Sequence, residues 1–354
     1  MQAIIAVVRT REATSHMSNL EVGGETKSGR APAAIVLLFL GLSLLAGCQK
    51  QESQKHDSHA EGFNGRWNID VTNQERHSPF WMEVKGAGTD SFEGRLIGAT
   101  GGRASAFVDP EIQDGELRFV VSRTYANNRE VRAKTIARLI DDRLVGATWI
   151  GDEKLEWEGR RPPLIEDRDD GNWCDGATDV LFSAGGLSNW HTLDSDRDAG
   201  WTIDGGVLKN GAGRGALLVS NKEFWNFRLQ VEYRILPESN SGIGLRGRYE
   251  VQILDDHGQP PDVHGNGAIY SLLRPKVNAS KPAGEWQNFD ITLIGRDIAI
   301  LLNGQKILDK AAIEGLSTIG SDSREEEPGP ILLQGDHGPV EFRKIAVTSL
   351  ARCQ

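Results

Sequence analysis

The sequence predicts an all-β protein of two tandem domains: a C-terminal jelly-roll sandwich preceded by a small antiparallel β-barrel or sandwich. Two observations carry the all-β class. Short apolar runs alternate with polar residues along most of the chain, and Gly, Asn, Asp and Pro punctuate those runs at short intervals. Beyond the N-terminal leader no internal repeat and no long amphipathic helix is legible. The sandwich architecture of the second half rests on its long strands, which stand at both of its ends.

The first domain is read over residues 62–162. Trp67, Ile69 and Val71 alternate with Asn68 and Asp70, the period of a half-buried strand. Similar strands are expected at Phe80–Val84, Ser91–Ile97, Glu116–Ser122, Val131–Ile140, Arg143–Ile150 and Lys154–Gly159, with turns at Gly86-Ala87-Gly88 and Asn127-Asn128. Such spacing argues a barrel or small sandwich, loosely lipocalin-like. No catalytic constellation stands out, and Glu75 and His77 read as surface residues. Pro162-Pro163 and the acidic Glu166–Asp170 resist both helix and sheet, so residues 163–173 are expected to link the domains.

The N-terminus has the pattern of export. Ala31–Ala46 is an apolar run behind Lys27 and Arg30 that closes on Leu45-Ala46-Gly47-Cys48. It is short for a membrane span and suits a signal-peptide core. Small residues before a Cys resemble a lipobox. Residues 1–47 are therefore read as a lipoprotein signal peptide, within which Met17 is a candidate start, and Cys48 as the lipidated residue. Residues 48–61, rich in Gln, Lys, His and Ser, read as a polar tether. This predicts attachment to the bacterial cell envelope through a lipid anchor. In an oxidising compartment Cys174 and Cys353, at the two ends of the second domain (174–354), are candidates to pair.

Composition narrows the partners. A net charge of -10, with no Lys/Arg-rich block, argues against nucleic acid. Nine tryptophans suit a β core and sugar platforms equally. Trp286, at the start of a strand, reads as core.

The second domain holds the candidate chemistry. Phe227–Leu236 alternates apolar residues against Arg228, Gln230, Glu232 and Arg234. Asn240–Asp256 reads as another strand, with Leu245, Tyr249, Val251 and Ile253 on one face and Arg246, Arg248, Glu250 and Gln252 on the other. Side by side, the two strands would floor a groove of hydrogen-bonding groups suited to a carbohydrate. A sheet with one solvated face alternates in the same way without any function. Ile298–Leu302, Asn303-Gly304 and Gln305–Leu308 predict a hairpin with a type I′ turn, and Ile331–Leu333 and Val340–Val347 supply late strands. Asp255, His257, His264 and His337 have no recognised ligand spacing, so a divalent metal is possible but not called for.

Taken in order, Asp179–Trp190, Trp201–Asn210, Asn221–Ile235, Asn240–Asp256, Gly267–Pro275, Lys281–Gly295, the Leu301–Ile307 hairpin and Ile331–Val347 resemble the 3-keto-disaccharide hydrolase domain family. The first domain lies outside the resemblance. It implies a concanavalin-like jelly roll with its cleft on the concave sheet and a glycoside substrate already oxidised at carbon 3. A ketone there acidifies the carbon-2 hydrogen. Cleavage by elimination and hydration then needs a base, an acid at the leaving oxygen and a group that stabilises the oxyanion. The chain offers Glu250 as base, Glu232 or His337 as acid, and Arg246 or Arg248 as the electrostatic partner. Gln252, Asp255, Tyr270, Lys281 and Gln334 are further candidates for substrate contact. Two-carboxylate hydrolysis through Glu232 and Glu250 and non-catalytic carbohydrate binding are the alternatives. His337, in Gln334–Gly338, reads equally as a turn cap. An inserted HGQPPDVHGNG after Asp256 departs from the family pattern.

Overall fold

The computed structural model describes residues 58–354, except 75–78, 99–100, 126–127, 194–198, 212–214, 318 and 321. The leader, Cys48, the tether up to residue 57, Glu75 and His77 lie outside the described residues.

A one-turn helix, α1 (Ser58–Glu61), precedes nine strands: β1 (Gly65–Val71), β2 (Phe80–Lys85), β3 (Glu93–Gly98), β4 (Gly101–Ala106), β5 (Val108–Gln113), β6 (Glu116–Thr124), β7 (Glu130–Ile140), β8 (Arg143–Ile150) and β9 (Glu153–Arg160). They form one antiparallel meander in the order β4-β3-β2-β1-β9-β8-β7-β6-β5. β4 and β5 stand at the two ends of this order, yet only Phe107 separates them in sequence. The sheet therefore curls into a nearly closed barrel, which removes most of its free edge. Its interior is lined by Trp67, Ile69, Met82, Val84, Leu117, Phe119, Leu144 and Trp157. Sequence reading missed β4 and β5. Gly101–Ala106 has no β-branched or aromatic residue, and Pro110 sits where the β5–β6 register slips between Val108 and Glu111.

Thirteen strands follow: β10 (Trp173–Phe182), β11 (Trp190–Thr192), β12 (Trp201–Asp204), β13 (Val207–Asn210), β14 (Leu218–Phe224), β15 (Phe227–Ile235), β16 (Asn240–Leu245), β17 (Tyr249–Leu254), β18 (Gln287–Ile294), β19 (Asp297–Leu302), β20 (Gln305–Ala312), β21 (Gly329–Leu333) and β22 (Val340–Arg352). Two sheets result. One runs β12-β13-β22-β15-β18-β19-β20, with β10 also on β22, and the other runs β11-β14-β21-β16-β17. Phe227, Leu229, Val231, Tyr233, Tyr249, Val251, Ile253, Phe289, Ile291 and Phe342 fill the space between them. This is the sandwich that the alternation predicts. Asn303 and Gly304 both have positive φ, 54° and 79°, as a type I′ turn requires. A disulfide joins Cys174 to Cys353, tying β10 to the end of β22.

The linker has no regular structure from Arg161 to Asp169, but it is tied down. Arg161 stacks on Trp67 at 3.6 Å. The Asp167 carboxylate accepts from Trp225 and Asn226, both at 2.8 Å. Arg168 pairs with Asp297 at 2.9 Å, and Arg296 donates to the Pro163 carbonyl.

Across the domain boundary, β2 is buried on both faces. Phe80, Met82 and Val84 face the barrel core, while Trp81 joins the core of the second domain. The run Phe80-Trp81-Met82 is the sequence trace of that double burial.

Candidate functional site

Asn240–Asp256 is a hairpin rather than one strand. β16 and β17 meet in a turn at Arg246-Gly247-Arg248, with Leu245 paired to Tyr249. Arg246 and Gly247 have positive φ, 51° and 65°. Both arginines leave the strand row and hold the turn. Arg248 donates to Asp322 at 2.8 Å and to the Glu327 carbonyl at 2.9 Å. Burial works to raise the Asp322 pKa, but the charge and hydrogen bond of Arg248 outweigh it and hold the carboxyl below its usual range. Arg246 lies over Trp225 at 3.9 Å and donates to the Trp225 carbonyl and to Asn226. Burial lowers its pKa to about 10. Expected as electrostatic partners of a substrate, the two guanidinium groups are instead engaged inside the protein.

Glu232 and Glu250 do not share a groove. β15 lies in the larger sheet, between β18 and β22, and β17 lies in the smaller one. The polar row of β15 points away from the core: Glu232 pairs with Arg343 at 2.5 Å, and Arg234 pairs with Glu341. Alternation gives the face of a strand but not its sheet, and here the outward faces lie on opposite sides of the sandwich.

What the structure gathers around Glu250 is a different set. Tyr249, Val251 and Ile253 point into the core, so Glu250 and Gln252 face outward from the five-stranded sheet. Opposite them on β16 stand Gly244 and Gly242. On the next strand Leu332 pairs with Gly244, and the Gln334 N–H donates to the Gly242 carbonyl. The two glycines leave a bare strip between Glu250 and Gln252 on one side and Leu332 and Gln334 on the other. The Glu250 carboxylate leans over this strip: a Cβ on Gly242 would lie 2.5 Å from its Oε1.

Beyond β17, the segment after residue 255 returns along the strand. The Tyr270 N–H donates to the Glu250 carbonyl at 3.0 Å, making Tyr270 its cross-strand neighbour. At the same edge of β17 the Glu250 N–H donates to Ser317 Oγ at 3.1 Å. Glu250 is only 4% exposed, and Gln252 and Gln334 are also buried. The Oε1 atoms of Gln252 and Gln334 have no hydrogen-bond partner, although the Gln252 Nε2 donates to Asn240 Oδ1 at 3.2 Å. Two orphaned amide oxygens beside a carboxylate and a bare glycine strip suit a polyhydroxylated ligand.

His337 stands three residues beyond Gln334, its Nδ1 2.7 Å from Asp336 Oδ1. A Cβ on the adjacent Gly338 would meet the Asn240 backbone at 2.8 Å, so the turn packs against the end of β16. Two other candidates are structural. Lys281 donates to the Trp286 carbonyl at 3.0 Å, and Asp255 accepts from the Glu238 N–H. Trp286, read as core, is half-buried with Arg234 and Arg343 against its ring. The inserted HGQPPDVHGNG is held by Asp256, which accepts from the Asn266 N–H and from Ser280 Oγ, both at 2.8 Å. Tyr233 hydrogen-bonds Asn266 from below, and burial raises the phenol pKa. Within the insertion, the charge and hydrogen bonds of His264 outweigh burial and hold Asp262 below the usual carboxyl range. Asp255, His257, His264 and His337 do not converge, and no group of three metal-ligating side chains occurs among the described residues.

Sequence reading missed Ser317, Gly242 and Gly244. The glycines carried a signal, since alternate Gly in a strand marks a close approach. Ser317 carried none.

Comparison with known proteins finds similarity over about half of the chain. A curated relative, the 3-keto-disaccharide hydrolase of Bacteroides thetaiotaomicron, is 24% identical over 229 aligned positions, covering 48% of this chain and 78% of the relative. Two crystal structures of inferred glycosyl hydrolases from Parabacteroides distasonis are 24% and 20% identical. They cover 53% and 49% of this chain and 92% and 95% of their own, with TM-scores of 0.42 and 0.43. Residues 177–348 match the 3-keto-alpha-glucoside-1,2-lyase-like domain. Over residues 177–348, just under half of its length, this chain is similar to that family.

Proposed function

We propose that the second domain cleaves the glycosidic bond of 3-keto-glycosides, with Glu250 as the base, on a chain exported and anchored to the cell envelope through Cys48. The observation that carries the reading is the Glu250 carboxylate fixed on a rigid strand beside the Gly242–Gly244 strip, flanked by Gln252, Gln334 and Tyr270. The family match supports the choice of substrate class.

The steps follow from the ketone. Glu250 takes the carbon-2 proton, and the electron pair moves onto the carbon-3 oxygen as an enediolate. The carbon-1 to oxygen bond then breaks, the leaving oxygen gains a proton, and water adds across the resulting double bond. Tyr270 and the glutamine amides are the nearby hydrogen-bond donors for the sugar hydroxyls and the enediolate. His337 is the candidate acid, because Asp336 at its Nδ1 fixes the ring and leaves Nε2 for proton transfer. Glu232, on the far side of the sandwich, has no part in it. Direct two-carboxylate hydrolysis through Glu232 and Glu250 loses its geometric basis for the same reason.

The test is release of the aglycone from a 3-keto-glucoside by wild type and Glu250→Gln. Release lost in the variant with sugar binding kept supports the reading. Binding without any turnover by wild type would make the domain a carbohydrate-binding module. The anchor has its own test: Cys48→Ser should free the protein from membranes, and unchanged membrane association would refute it.

A further inference from the structure

We propose that the first domain belongs to the framework of the catalytic site: it holds both loops that fix the Glu250 backbone, and Asn68 is a positioning residue for that carboxylate. This rests on the reading of Glu250 above.

Two hydrogen bonds fix Glu250 from outside its own hairpin. Its N–H donates to Ser317 Oγ, and its carbonyl accepts from the Tyr270 N–H. Ser317 belongs to the loop 313–328, between β20 and β21, and Tyr270 to the loop 255–286, between β17 and β18. Among their described residues both loops lack a strand; each has hydrogen bonds of its own and is also tied down from outside.

The barrel does so in both cases. On the 313–328 side, Asn68 Nδ2 donates to Glu325 Oε2 at 2.6 Å, and Ser323 Oγ donates to Asp70 at 2.5 Å. Both barrel residues come from β1. Arg66 on the same strand pairs with Glu314 at 2.6 Å. Gly315 lies against the Trp81 indole so closely that a Cβ there would meet the ring at 2.5 Å. On the 255–286 side, Ser271 Oγ accepts from the Ala104 N–H at 3.2 Å and donates to the Gly102 carbonyl at 3.3 Å.

Glu325 joins the barrel to the strand itself. It is 1% exposed. Its carboxylate accepts from Asn68, from both Nε and Nη2 of Arg296, and from the hydroxyl of Tyr249, the residue before Glu250, at 2.7 Å. A buried carboxylate keeps one geometry only while its donors stay in place. Removing the Asn68 amide leaves Glu325 Oε2 to Arg296 Nη2 alone and removes the bond to the Ser323 carbonyl, and the loosening passes to the Ser317 turn and the Tyr249–Glu250 backbone. Gln252 sits on β17, and Gln334, just past the end of β21, is held by its N–H on the Gly242 carbonyl, so sugar contacts there should survive.

The experiment uses the full chain carrying Asn68→Ala, with Gly315→Ala as a second variant that pushes the same loop off Trp81. Turnover of a 3-keto-glucoside and amide hydrogen exchange are measured beside wild type. The expected result is a kcat about tenfold to a hundredfold lower with KM within about threefold of wild type, since a displacement of about 1 Å costs on the order of 10² in rate. Exchange should rise in 313–328 and at the Glu250 amide while the β6–β8 core stays protected. Wild-type kcat and KM in both variants would overturn the proposal. So would a loss of turnover accompanied by exchange throughout the barrel, which would make Asn68 a fold residue only. Wild type inactive on 3-keto-glycosides would defeat the Glu250 reading instead. In that event exchange at the Glu250 amide still decides: a rise in Asn68→Ala supports the clamp, and no change overturns it.

Discussion

Replacing Gly242 by Ala should disable the site while sparing the fold. Gly242 is in β16 with no positive φ, so an alanine meets no backbone strain there. The added Cβ would stand 2.5 Å from Glu250 Oε1, 3.0 Å from its Cγ and 3.2 Å from its Cδ. Ordinary contact begins near 3.4 Å, so the carboxylate must retreat by about 1 Å, a displacement that costs on the order of 10² in rate when proton transfer depends on position. Stability should change little, because the atoms that must move are the end of a flexible side chain. Gly244→Ala is the matched control: its Cβ would meet Leu332 Cβ at 2.8 Å. That is overpacking, which costs about 1–3 kcal/mol of stability with less effect on rate. The assay is kcat on a 3-keto-glucoside together with thermal unfolding for both variants. Gly242→Ala at wild-type kcat, or an equal rate loss in Gly244→Ala, would refute the placement of the reacting sugar beside Glu250 over this strip.

Further expectations concern the scaffold. The Cys174–Cys353 bridge closes a loop with a sequence separation of 179, which on the chain-entropy model is worth about 5 kcal/mol as an upper figure. Non-reducing peptide mapping should recover the linked pair, and reduction should lower Tm; an unchanged Tm would show that the constraint does not act on the unfolded chain. Asp322, held below the ordinary Asp value of 3.8 by Arg248, contributes stability that is fully present above that value and is lost as pH falls through its folded value. The stability gap between wild type and Asp322→Asn should therefore be widest near neutral pH and close below about pH 4. A gap that widens with acid would contradict the pairing.

Much of the fold was legible because β structure writes its faces into the chain with period two. Phe227–Ile235 shows its buried and outward faces without ambiguity, and Asn303-Gly304 names its turn. The same rule placed Glu250 correctly relative to Tyr249 and Val251. It failed in the same segment for a physical reason. Leu245 and Tyr249 pair across the turn and are four residues apart, an even number, so the alternation passes through the hairpin unbroken and reads as one long strand. It also could not assign sheets, which is why Glu232 seemed a partner for Glu250. The contacts between domains were the least legible. Asn68 and Asp70 look like the solvated face of β1, and only the structure shows Glu325 and Ser323 against them. Gln252 and Gln334 lie far apart in sequence and meet across Gly242 only through the order of β17, β16 and β21.

The central claim is that Glu250 removes the proton next to a carbon-3 ketone. The most direct measurement is the rate of aglycone release by wild type and Glu250→Gln from a 3-keto-glucoside, with the unoxidised glucoside as control. The account predicts that wild type cleaves the ketone and spares the control, and that Glu250→Gln lowers kcat by on the order of 10²–10⁴ while sugar binding changes little. Full activity in Glu250→Gln, or equal cleavage of the unoxidised glucoside by wild type, would contradict it.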